Sequence, residues 1–121
     1  MPSPKRKIGD VGEDIVCKYL KGNGYVVLER NYWKPWGEID IVAKKADVIR
    51  FIEVKSISRG TVRPEENMHP AKLKRLHRAV QTYLLDHKVP EMAEWQVDLA
   101  CVYIDFATRR ARVELLENIV L

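Results

Sequence analysis

Gly37-Glu38-Ile39-Asp40-Ile41 and Phe51-Ile52-Glu53-Val54-Lys55 place carboxylates and a lysine at alternating positions in two short, otherwise apolar runs. Alternation of this kind reads as a pair of half-buried strands. The polar stretch Ala43-Lys44-Lys45-Ala46-Asp47 reads as their connection. A turn centred near Ala46-Asp47 sets Asp40 opposite Glu53 and Glu38 opposite Lys55. With a side-chain period of two, Ile39, Ile41, Ile52 and Val54 form the opposite, core-facing side. Two carboxylates facing each other across a strand pair repel and weaken it. A bound cation offsets that repulsion, and so does a proton held by a raised pKa. An oxygen-rich site of one or two carboxylates plus waters suits Mg²⁺ or Mn²⁺. Such an ion polarises a phosphate and acidifies its bound water, which a nearby ammonium orients or helps to deprotonate. The competing reading is a solvated hairpin face with an ordinary Glu–Lys pair.

The flanking segments must position this hairpin. Ile8, Val11, Ile15, Val16, Tyr19 and Leu20 recur at helical spacing, and Gly22-Asn23-Gly24 ends the run with residues that tolerate positive φ. The apolar stripe centres near Ile8, Ile15 and Tyr19, with Glu13 at its edge and Asp10 and Asp14 pointing further away. Tyr25 to Arg30 reads as the first strand, followed by an aromatic loop, Asn31 to Trp36. From Ser56 to His69 there is no periodicity, and a loop of that length is often functional. Pro70 suits a first helical position, and Leu73, Leu76, Val80, Tyr83 and Leu84 form the buried stripe of a second helix. Trp95 to Ile104 reads as a strand too apolar to lie at an edge, and Arg110 to Leu116 as a last strand. The order α-β-β-β-α-β-β implies a small mixed sheet flanked by helices, with a parallel crossover through the second helix.

The chain of 121 residues carries a net charge of +4, which is compatible with nucleic acid without requiring it. It reads as one domain over residues 1–121, with residues 1–7 as a flexible basic arm carrying Lys5-Arg6-Lys7. Cys17 and Cys101 lack metal-ligand spacing and read as small buried hydrophobes of a reducing compartment. No apolar run reaches membrane-spanning length, and the N-terminal residues lead into no signal-peptide core, so a cytoplasmic protein is expected. His69, His77 and His87 lack the spacing of a helical metal pair and are expected at the surface, with His69 alone placed to approach a phosphate.

Gly9 and Gly12-Glu13, Arg30-Asn31, Gly37 to Asp40, Glu53 to Lys55 and Lys72 to Arg75, in that order, resemble the YraN-like prokaryotic family. Through it the chain resembles the PD-(D/E)XK nucleases, which include archaeal Holliday-junction resolvases. The resemblance covers almost the whole chain. It implies an α/β, restriction-endonuclease-like α-β-β-β-α-β core, here with an extra C-terminal strand. It further implies that Asp40, Glu53 and the main-chain carbonyl of Val54 bind Mg²⁺ or Mn²⁺. Lys55 would activate the attacking water and stabilise developing charge, and Glu13 would be an accessory acid. The implied chemistry is in-line hydrolysis of a phosphodiester. Ile39 stands where the superfamily's proline would be, and Gln96-Val97 replace the family's arginine and aromatic before Asp98. Asp98 is read as a structural partner for a basic residue, with a role beside the site as the alternative.

Lys72, Lys74, Arg75 and Arg78 are the expected contacts to a nucleic-acid backbone, DNA ahead of RNA. A charged outer helix face is their other reading. Trp33 and Trp36 flank Pro35, where an exposed aromatic would stack on an unpaired base or, more commonly, staple the loop to the core. Three function classes remain: a metal-dependent nuclease acting on a junction, flap or single strand; a nucleic-acid-binding module of the same fold that does not cut; and an interaction domain whose acidic face meets a protein. Resolvases of this type act as dimers, so the resemblance also carries the expectation of a homodimer, and none of a membrane.

Overall fold

The structure, a computed structural model, describes residues 4–58 and 69–119, with side chains from Asp10 onward. Helix α1 (Pro4–Gly22) is followed by strands β1 (Val26–Lys34), β2 (Gly37–Lys45) and β3 (Val48–Ser58). Helix α2 (Pro70–Asp86) then leads to β4 (Trp95–Asp105) and β5 (Arg110–Leu116). The strands lie in sequence order in one five-stranded sheet. Among the described residues only β3 and β4 are parallel, joined through α2. The α/β architecture and element order are those expected, and they are consistent with a restriction-endonuclease-like core. Gly60, Pro64 and Asn67 of the expected long loop lie outside the described residues, as do the side chains of Lys5, Arg6, Lys7 and Ile8; the backbone of Lys5 to Lys7 belongs to α1.

A helix covers each face of the sheet. Val16, Cys17 and Leu20 of α1 pack with Ile41, Ala43, Ile52, Ala100 and Val102. Leu76, Ala79, Val80 and Tyr83 of α2 pack with Val42, Phe51 and Val97. The β2–β3 hairpin therefore does not have one apolar and one solvated side. A parallel crossover lays its helix on the face that alternation assigns to Asp40 and Glu53. That face is apolar at Val42 and Phe51 and polar only at its end.

The turn is where the sequence placed it. Ala46 and Asp47 both take positive φ, 53° and 61°, the turn geometry that matches strand twist in a two-residue hairpin. The ladder then runs from Lys45–Val48 to Ile41–Ile52. The aromatic segment, by contrast, is strand rather than loop: Tyr32 pairs with Ile39 and Trp33 with Glu38, leaving Pro35-Trp36 as the turn. Period-two reading stops at Asn31, whose φ of 53° breaks the alternation. Arg30 faces α1 and bonds Glu13, whereas Tyr32 faces α2 and bonds Asp86. On β2 the same switch sends Ile41 to the α1 cluster and Ile39 to the α2 cluster, so Ile39 leaves the set it was expected to join.

The buried face of α1 also differs from expectation. It runs through Gly12, Glu13, Val16, Cys17 and Leu20, while Val11 and Tyr19 are exposed. The cause is a close approach: a Cβ on Gly12 would collide with Ser56 Oγ and lie 3.1 Å from its Cβ. Gly12→Ala is expected to cost about 1–2 kcal/mol, and Ser56→Ala in the same chain to recover part of it. Urea unfolding of the four variants measures that coupling; strictly additive losses would contradict the contact.

Asp98 has the structural role expected. It is completely buried on the α1 side, 3.9 Å from Arg50 Nη1. Its Oδ1 accepts hydrogen bonds from Gln96 Nε2 and from the Asn118 N–H, both at 2.8 Å. The latter bond ties the C-terminal segment to the sheet. Cys17 and Cys101 are buried in the core and form no disulfide with each other, as expected, and the three histidines are exposed.

Candidate active site

The polar end of the hairpin forms because the β2–β3 ladder stops at Ile41–Ile52. The next pair in that register would be Asp40 and Glu53. Asp40 lies between Ile39 and Ile41, where β2 changes faces. Its carboxylate takes the place of a ladder partner, with Oδ2 accepting the Val54 N–H at 2.7 Å. Because N–H and C=O of one strand residue leave the chain on the same side, the Val54 carbonyl also addresses this gap. The expected pairing of Glu38 with Lys55 would fall beyond the ladder's end. Glu38 is exposed there, and its charge still acts on both Asp40 and Glu53.

Burial and the neighbouring Glu53 charge push the Asp40 carboxyl up to about 7, against the pull of the Val54 N–H. Glu53, only 6 % exposed, is also raised by burial, and Lys72 counteracts this through an ion pair of 3.0 Å. Near neutrality the Asp40 carboxyl is therefore poised to hold a proton, while Lys72 draws Glu53 toward its charged form. Lys72 sits in the first turn of α2, an N-terminus whose dipole also favours a nearby anion.

On the α1 side Glu13 is 6 % exposed. Arg30 Nε donates to Glu13 at 3.1 Å, and Arg30 Nη2 to Asp14 at 2.8 Å. Burial raises Glu13, with Arg30 opposing and the Asp40 charge reinforcing the shift. Glu13 is thus within electrostatic reach of the pair. Lys55 is half-buried on β3, beside Cys101 of β4 and, by alternation, on the face of Glu53. Lys74, Arg75 and Arg78 are exposed on α2, as backbone contacts would be.

Asp40 is thus within electrostatic reach of both Glu53 and Glu13, and Lys55 shares the strand face of Glu53, with two additions. Lys72 belongs to the carboxylate pair and is not only an outer basic residue. Arg30, in the sequence only one member of an arginine-asparagine pair, positions Glu13. A helical wheel gives the side of α2 on which Lys72 lies, but not the strand beneath it. The glycine at 37 was the available signal: its Cβ would strike the Arg75 carbonyl oxygen, so α2 rests directly on β2 at that point.

Among the described residues, no three His, Cys, Asp or Glu side chains form a ready-made metal cage. The donor set is instead two carboxylates whose pKa values burial raises, beside the Val54 main-chain carbonyl. That set fits an ion such as Mg²⁺, which keeps several waters and takes only one or two carboxylates.

Residues 12–110 match the uncharacterised protein family UPF0102. The chain belongs to that family. Among its UPF0102 relatives, a protein of Campylobacter lari is 40% identical over 111 residues, covering 92% of this chain and 91% of its own. A protein of Helicobacter hepaticus is 37% identical over 116 residues, covering 96% of each chain. One from Chloroflexus aurantiacus is 38% identical over 99 residues, covering 82% and 81%. UPF0102 is the YraN-like family that the glycine-glutamate helix and the GEID and EVK segments pointed to. Among the described residues of this UPF0102 member, no helix is long and apolar enough to cross a membrane.

Proposed function

We propose that the protein is a cytoplasmic, metal-dependent nuclease that hydrolyses DNA phosphodiester bonds. The observation that carries this reading is the half-buried Asp40 set against the buried Glu53 at the open end of the β2–β3 ladder, with Asp40 held up to about 7. A fold does not keep two such groups together for stability alone, since the pair repels in its ionised state. Perturbed carboxylates at the end of a sheet suit a divalent-ion site.

Asp40, Glu53 and the Val54 carbonyl would hold Mg²⁺ or Mn²⁺, which when bound supplies Lewis-acid polarisation of the phosphate and a more acidic water. The chain's own residues do the rest. Lys55 holds the attacking water and balances negative charge as the phosphorus gains its fifth oxygen. The water gives up a proton to solvent as its oxygen bonds to phosphorus, the opposite P–O bond breaks, and the leaving oxygen takes a proton from solvent. Glu13, fixed by Arg30, accepts hydrogen bonds from water at the site's α1 side. Lys74, Arg75 and Arg78 contact the phosphate backbone along α2, which is salt-sensitive and carries little sequence information.

Labelled single-stranded, duplex, flap and four-way-junction DNA incubated with Mn²⁺ tests the reading. The wild type is expected to cut at least one substrate, and Asp40→Ala and Lys55→Ala to cut none. No cleavage of any substrate, with DNA binding equal in all three proteins, would leave a non-cutting nucleic-acid-binding module in its place.

A further inference from the structure

Trp33 and Trp36, one turn apart in the same hairpin, have different surroundings. Trp36 donates its indole N–H to Thr82 Oγ1 at 2.9 Å and so staples the turn to α2. Trp33 is 65% exposed. Among the described residues it has neither a hydrogen bond nor a ring partner. It stands at the rim of a cleft of about 200 Å³ between the β1–β2 turn and the start of α2, whose inner wall includes Glu53, Lys72 and Arg75. Lys34, on the same rim, is tied to Asp86 at 3.2 Å, and Lys72 to Glu53 at 3.0 Å. Arg75 is exposed and has no ion pair among the described residues.

An exposed indole, an uncommitted guanidinium and a short path to a buried carboxylate are the parts of a nucleotide subsite. We propose that this cleft takes an unpaired nucleotide next to the scissile phosphate: Trp33 stacks on its base and Arg75 binds its phosphate. This rests on the nuclease reading and narrows its substrate to strands with at least one unpaired nucleotide beside the cut. A base held in a continuous duplex has both faces covered by its neighbours and offers none to Trp33. Stacking of this kind tolerates any base sequence, so the preference is for strand state and not for sequence.

Anisotropy of a fluorescein-labelled ten-nucleotide single strand and of the matching duplex, in EDTA so that nothing is cut, tests the subsite. Trp33→Ala is expected to weaken single-strand binding about tenfold, the order of one stacked base, and duplex binding less than twofold. Trp33→Phe is expected to restore most of the loss, since it keeps an aromatic face. An equal effect on both ligands, no effect on either, or no single-strand binding by the wild type would overturn the subsite. The nuclease reading is tested separately in Mn²⁺: cleavage by the wild type that Trp33→Ala leaves unchanged on every substrate refutes the subsite alone.

Discussion

Asp40→Asn is expected to melt well above the wild type at pH 8 without divalent cations, although it removes a central residue of the site. A carboxyl whose folded pKa lies above its unfolded value makes the folded state bind the extra proton. The stability this contributes is fully present below the unfolded pKa and is lost as pH rises through the folded one. For Asp40 the window runs from 3.8 to about 7. Across it the wild type loses up to roughly 4 kcal/mol from this group. Asparagine keeps an oxygen to accept the Val54 N–H but has no charge to bury. The two melting curves should therefore coincide near pH 4, diverge towards pH 7 and stay apart at pH 8. For a domain of this size the gap is about 15 °C. Calorimetric melts in EDTA across this range check it, and parallel curves would contradict the buried-pair account. Millimolar Mg²⁺ should narrow the gap by stabilising only the wild type, because an ion that binds the folded state alone adds stability by mass action.

Gly37→Val is expected to destabilise the fold and to disturb the candidate site together. Its Cβ would meet the carbonyl oxygen of Arg75, with the carbonyl carbon at 2.9 Å and the Ala79 Cβ at 3.3 Å. Two of these atoms are helix backbone, so no rotamer change relieves the clash and α2 must lift from β2. Overpacking of this kind costs about 3 kcal/mol. The lift also draws Lys72 away from Glu53, so on the proposed nuclease reading DNA cleavage should fall further than the folded fraction does. Gly22→Ala is the control: nothing lies within 4 Å of its added Cβ, and its stability should match or slightly exceed that of the wild type. Urea unfolding and cleavage measured on the same samples separate the two effects. Wild-type stability in Gly37→Val would contradict the close contact between α2 and β2.

Local chemistry made much of this legible in the sequence. Ala46-Asp47 fixed the hairpin turn, and the turn fixed the register that points Asp40 at Glu53. Pro70 marked the start of α2, and the apolar run from Trp95 marked a central strand. What period reading could not provide depends on contacts between distant elements. The stripe of α1 is set by Gly12 seating on Ser56, which places Glu13 inside and leaves Tyr19 outside, although tyrosine is the more apolar of the two. The switch at Asn31 is a single positive φ, and it moves Arg30 and Tyr32 to opposite faces of the sheet. It also turns an apparent aromatic loop into strand. Lys72 was legible as a basic helix residue, but its pairing with Glu53 follows from the way α2 lies over β3.

The central claim is that Asp40 and Glu53 together form a divalent-cation site, and calorimetric titration of the purified protein with Mn²⁺ at pH 8 tests it most directly. The account predicts saturable binding that releases little proton at pH 8, releases more and weakens at pH 6, and is lost in both Asp40→Asn and Glu53→Gln. The absence of binding by the wild type, or binding that survives both substitutions, would contradict it.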